Sequence, residues 1–151
     1  MREKFNAALK EATLAQDKRR MGTLRLIIAA VKDRDIAARG AGQDAGVSDE
    51  EVLGILAKMI KQRVESAETY EQAGRLDLAQ QEREEMEIIA SFLPRQLDEK
   101  EMAAACREVV QEVGASSLKD MGKCMGALKQ RYAGQIDFGK ASKVVKEILA
   151  G

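Results

Sequence analysis

The chain has no histidine and no tryptophan, one proline, two cysteines and only five phenylalanine or tyrosine residues. Each shortage excludes something. Without histidine, the commonest general base and the commonest transition-metal ligand are missing together, which removes much hydrolytic and metal-dependent chemistry. Cys106 and Cys124 are too few for a disulfide framework and lack the C-x-x-C spacing of a zinc or redox pair, so they read as buried small hydrophobes in a reducing compartment. No apolar run approaches the ~18 residues of a membrane span, and the start of the chain lacks an apolar stretch followed by a small-residue cleavage site. The expected location is cytoplasmic, with an organelle matrix as the alternative if a transit segment has been removed. No cofactor, no metal and no membrane contact are expected.

Alanine, leucine, glutamate, lysine, arginine, glutamine and methionine dominate what remains, and these are helix formers. The predicted fold class is all-α. With 151 residues the chain can build one ordinary domain or two small ones.

Net charge is zero, but only by cancellation. Residues 1–39 carry ten basic and five acidic side chains, residues 40–95 six and twelve, and residues 96–151 nine and eight. Both ends are basic, because from Gly114 onward seven basic residues face three acidic ones. The middle of the chain is acidic.

Apolar periodicity predicts helices over about residues 2–15 (Phe5, Leu9, Ala12) and about 17–38 (Met21, Leu24, Ile27, Ile28, Val31). A glycine-rich, mobile loop is expected to follow until Val47. Ser48 and Glu51 then form a capping box with Val47 and Val52 at staple positions, opening a helix that runs through Val52, Ile55, Leu56, Met59, Ile60, Val64 and Ala67 to a stop at Gly74. A fourth helix, with Leu78, Met86, Ile89 and Phe92 inward, ends before Pro94. Asp98 and Glu101 repeat the box, with Leu97 and Met102 as staple, and Gly114 ends that helix. Two more follow, about 118–132 and from Asp137 onward, the latter burying Ala141, Val144, Val145, Ile148 and Leu149. The expected architecture is an N-terminal four-helix unit with a long antiparallel helix pair (residues 1–96) and a small C-terminal three-helix bundle (residues 97–151).

Gly122-Lys123 has the look of the end of a phosphate-binding loop, but Ser117 stands where glycine is needed, Cys124 where Ser or Thr is needed, and no strand precedes it. Gly122 and Gly126 share a helix face, which suggests a close helix approach. Glu82, Glu84, Glu85 and Glu87 read as a solvated acidic face, and Cys124 beside Lys123 as a structural thiol. No catalytic residue is assigned. Lys18, Arg25, Lys32 and Arg39 recur every seven residues and form a basic stripe on the second helix. Lys140, Lys143 and Lys146 do so every three on the last, and Lys119, Lys123 and Lys129 belong to the same C-terminal unit. Such surfaces suit phosphate backbones.

The stretches TLRLIIAAVK (residues 23–32), IKQRVES (60–66), YEQAGR (70–75), FLPRQL (92–97) and VGASSLKDMGKCMG (113–126), in this order, resemble the YqeY family. Its fold is shared with the C-terminal tail of the B subunit of the glutamine-dependent aspartyl/glutamyl-tRNA amidotransferase. The resemblance covers essentially the whole chain and implies a helical module with a small terminal bundle. In the amidotransferase that tail holds tRNA, while the chemistry belongs to other domains, which this chain does not match. The implied function is that of an accessory module binding tRNA or another structured RNA, with Ser116, Ser117, Lys119, Lys123 and Lys129 as phosphate contacts. Lys140 and Lys143 join them on physical grounds, and the helix N-terminus at Ser116 and Ser117 offers an anion site. Lys61, Arg63 and Arg75 match family blocks too, against a reading as partners of the acidic middle. A protein adaptor on an amidotransferase or synthetase complex is the alternative. A glutamine-dependent carbon–nitrogen ligase is the third reading, although no nucleophile or ATP equipment is visible, so no activity of the chain alone is expected.

Overall fold

The computed structural model describes residues 1–150, and all regular structure among them is helical. By packing, the chain divides into a unit Met1–Leu93 and a second that starts at Pro94. Pro94, Arg95 and Gln96 go with the second unit because the Gln96 side-chain amide donates to the Gly134 carbonyl and the Leu97 N–H donates to the Gln135 carbonyl at 2.9 Å.

The first unit contains α1 (Arg2–Leu14), α2 (Lys18–Gly40), α3 (Asp49–Gln72) and α4 (Leu76–Ala90). Helix α3 packs chiefly on α4, α1 on α2, and α2 also touches α3 and α4. Phe5, Leu24, Ile27, Val52, Leu56 and Ile89 fill the shared core and are essentially solvent-free. Each large aliphatic side chain so buried contributes ~1.5–3 kcal/mol. Phe92, just past α4, meets Phe5 edge to face at a centroid distance of 5.1 Å and carries the Arg20 guanidinium on its ring, so few aromatics still tie three helices together.

The capping box forms as the sequence predicts: the Ser48 hydroxyl accepts the Glu51 N–H at 3.2 Å while Glu51 accepts the Ser48 N–H. Such a cap is worth ~1 kcal/mol. Val47 and Val52 are both buried beneath it. The preceding loop, expected to be mobile, is instead tied down. The Asp35 carboxylate accepts the Val47 N–H, Arg2 donates to the Val47 carbonyl, and the Gln43 side chain donates to the Gly46 carbonyl. The α4 stripe also differs from expectation: Ala79 and Ile89 form its buried line, whereas Leu78, Met86 and Phe92 keep partial exposure.

The second unit contains α5 (Glu99–Glu112), a 3-10 turn at Leu118–Asp120, α6 (Met121–Tyr132) and α7 (Phe138–Ala150). Its core comprises Met102, Cys106, Val109, Cys124, Leu128, Ile136, Ala141 and Val145. Asp98 and Glu101 make the second capping box, and Arg95 grips Glu101 with two nitrogens at 2.9 and 2.6 Å. Asp137 caps α7 through the Gly139 N–H at 2.8 Å.

Candidate functional site

Ser116 and Ser117 lie in the turn before α6, and their amides already have a tenant. Asp120 Oδ2 accepts both N–H groups, at 3.0 and 3.4 Å, and these bonds lower the Asp120 pKa. The anion site expected at this helix start is filled by the chain's own carboxylate. An incoming phosphate would have to displace a negative charge that holds the turn together.

Lys119, Lys123, Lys129, Lys140 and Lys143 are all exposed, and so is Lys146. None of them is in an ion pair; all seven side-chain cations in ion pairs of the described residues are arginines. Lys18, Arg25, Lys32 and Arg39 are likewise exposed along α2, with Arg39 donating to the Asp44 carbonyl at 3.3 Å. Gly122 and Gly126 do not mark a close helix approach. Both are exposed, and a Cβ at either position would meet nothing within 4 Å.

The acidic run on α4 is not a fully solvated face. Glu85 pairs with Arg63 of α3 at 2.9 Å, both side chains being largely covered, and Glu84 pairs with Arg19 of α2 at 3.2 Å. Burial, with Glu85 nearby, raises the Glu82 pKa. Arg63 also donates to the Met59 carbonyl, so this family-block arginine acts as a clamp between α3 and α4. Arg75 pairs with Asp77 in the turn between those helices, and Arg83 with Glu71. Cys106 and Cys124 are buried, and desolvation raises both thiols away from the thiolate form a nucleophile needs.

One concave feature goes beyond what the sequence predicts. An open groove of about 480 Å³ between α3 and α4 is lined by Ile60, Val64, Ala67, Met86 and Ala90, with Glu68, Arg83 and Glu87 at its margins. The periodic pattern assigned Ile60 and Val64 to the buried stripe, but Val64 is 37% exposed and Ile60 is half-buried. The signal in the sequence is the width of the α3 stripe: positions 52, 55, 56, 59, 60, 64 and 67 cover more arc than one neighbouring helix can bury.

A family model described as "Yqey-like protein" matches residues 2–149. The chain is 31% identical over 147 residues to "Altered inheritance of mitochondria protein 41, mitochondrial" of Clavispora lusitaniae, covering 93% of this chain and 80% of that protein. A protein of the same name from Vanderwaltozyma polyspora is 28% identical over 120 residues, 75% of this chain and 62% of its own length. The Eremothecium gossypii counterpart is 33% identical over 85 residues, 56% of this chain and 44% of its own. Two expectations fall with these comparisons. The RNA-binding role beside an amidotransferase, with its adaptor and ligase alternatives, is replaced, because the relatives are named for the inheritance of mitochondria and not for tRNA or amide transfer. The cytoplasmic location loses its ground as well, since the same relatives are named as mitochondrial proteins.

Proposed function

We propose, from the premise that this chain belongs to the Yqey-like protein family, that it is a helical binding module acting in mitochondria, in the inheritance of mitochondria for which its relatives are named. The observation that carries the proposal is the extent of the match to the Clavispora lusitaniae protein, 93% of this chain. The relatives are longer than the chain, so the proposal concerns the portion they share. Binding, not chemistry, is supported by the surface. It offers an open apolar groove and unpaired lysines, while both thiols are buried and the chain has no histidine.

Complementation tests the reading. A Clavispora lusitaniae strain lacking its own protein would receive this chain behind a mitochondrial leader, and the fraction of daughter cells inheriting functional mitochondria would be counted. Restored inheritance is the expected outcome. A persistent defect, with the chain present and folded in the matrix, overturns the proposal.

A further inference from the structure

The α3–α4 groove has the chemistry of a helix-binding site. Its floor is apolar along two helices, since Ile60, Val64 and Ala67 come from α3 and Met86 and Ala90 from α4. The three charged lining residues, Glu68, Arg83 and Glu87, accompany five apolar ones, a balance that favours an occupant with an apolar face and charged flanks. Its volume lies within the ~300–1,000 Å³ range of specific pockets, yet its open side suits a segment laid along it more than a molecule enclosed by it.

The margins determine what kind of segment fits. Arg83 is neutralised by Glu71, whereas Glu68 on α3 and Glu87 on α4 are exposed and take part in no ion pair among the described residues. Lys61, exposed just beside the lining, offsets part of this, but residues 40–95 still hold twelve acidic against six basic side chains. An occupant with an apolar stripe and flanking cations would fill the floor and meet a carboxylate on either side. One with flanking carboxylates would face repulsion at both walls.

We propose that the groove between α3 and α4 binds an amphipathic helix whose apolar stripe is flanked by lysine or arginine, contributed by a partner protein. The proposal rests on the binding-module reading above and specifies the partner's chemistry. Side chains at i, i+3 or i+4, and i+7 of the incoming helix enter between Val64 and Met86, and its cations pair with Glu68 and Glu87.

The test uses the full chain and two synthetic helical peptides with identical leucine stripes, one flanked by lysines and the other by glutamates. Binding is followed by calorimetry and by amide chemical shifts of α3 and α4. The lysine peptide is expected to bind with a Kd on the order of 10–100 μM, weakening with salt, and the glutamate peptide at least tenfold less tightly. Val64→Ser should weaken binding about tenfold. The double variant Glu68→Gln/Glu87→Gln, at exposed positions that leave the core untouched, should abolish the discrimination between the peptides. Equal affinity for both peptides, shifts outside α3 and α4, or no binding at millimolar peptide overturns the proposal. So does self-association of the chain that Val64→Ser abolishes, which would make a second copy the occupant. Complementation that succeeds while the peptides fail removes this inference alone and leaves the mitochondrial reading standing.

Discussion

Asp35, near the C-terminal end of α2, accepts the backbone N–H of Val47 at 2.9 Å across twelve residues of chain. The same carboxylate takes Arg2 Nε at 3.1 Å and Nη2 at 2.5 Å, and Arg2 in turn donates to the Val47 carbonyl at 2.8 Å. One buried acid thus joins the start of α1, the end of α2 and the entry to α3. Gly46 completes the latch, since its φ is +81° and a Cβ there would lie 2.4 Å from Asp35 Oδ1.

Removing the latch should loosen the loop that leads into α3. Asp35→Ala leaves the Val47 amide and the Arg2 guanidinium without their partner, and Gly46→Ala forces the carboxylate aside while straining the backbone. Each is expected to lower the melting temperature of the first unit by roughly 5–10 °C and to speed proteolysis between residues 40 and 47. Thermal melts and limited digestion measure both effects; melting and cleavage unchanged from wild type would show that the latch contributes nothing.

Acid should reverse the same contact. Arg2 first, and the Val47 amide second, hold the Asp35 carboxyl down at about 2. Glu101 is held at about 2 by Arg95 and the Asp98 amide. A depressed carboxylate pKa means stability that is fully present above the ordinary carboxylate range and is lost as pH falls from there toward 2. Urea midpoints from pH 6 to pH 2 should therefore fall more steeply for the wild type than for Asp35→Asn, with the two curves converging at the acid end. A constant gap between them at every pH contradicts the assignment.

Gly122 and Gly126 lie within α6 with open space beside them. Alanine there adds helix propensity and restricts the unfolded chain without meeting a neighbour, so each substitution should stabilise the second unit by about 0.5–1 kcal/mol. Denaturant unfolding of the single and double variants decides the matter. Destabilisation would mean that these positions pack against something after all.

The two thiols should be inert until the second unit opens. Cys106 and Cys124 are shielded within its core, and burial keeps both protonated. Labelling by a disulfide reagent at pH 8 is expected to follow global unfolding and to rise along the denaturant transition. Rapid labelling of either thiol in native buffer would count against the core as described.

Local signals were the legible part of this fold. Ser48 with Glu51, and Asp98 with Glu101, each mark a helix start within four residues, and Gly74, Gly114 and Gly134 take the positive φ expected of helix stops. The end of α1 carries no such signal, because Gln16 occupies the left-handed region there with φ +57°. The Arg2–Asp35 contact spans 33 residues and leaves no periodic trace, so nothing in the sequence distinguishes Asp35 from other charged residues on α2. The candidate site fared differently. Ser117 and Asp120 have the spacing of a capping box, a readable warning that these amides would be claimed internally. The groove leaves no unambiguous trace in the sequence, because periodicity tells which residues are apolar, not whether a neighbour covers them. Only the packing of α3 on α4 leaves Val64 and Ile60 partly uncovered.

The division between the two kinds of cation carries a chemical consequence. Every ion pair made by a basic side chain is anchored by a guanidinium, and every lysine among the described residues is left to solvent. Acetylation would therefore strip the outer positive charge of this protein, from Lys119 to Lys146, without severing an ion pair that holds its helices together. Reagents directed at guanidinium groups would instead unpick the exposed clamp at Arg95 first and reach the covered Arg63–Glu85 pair last.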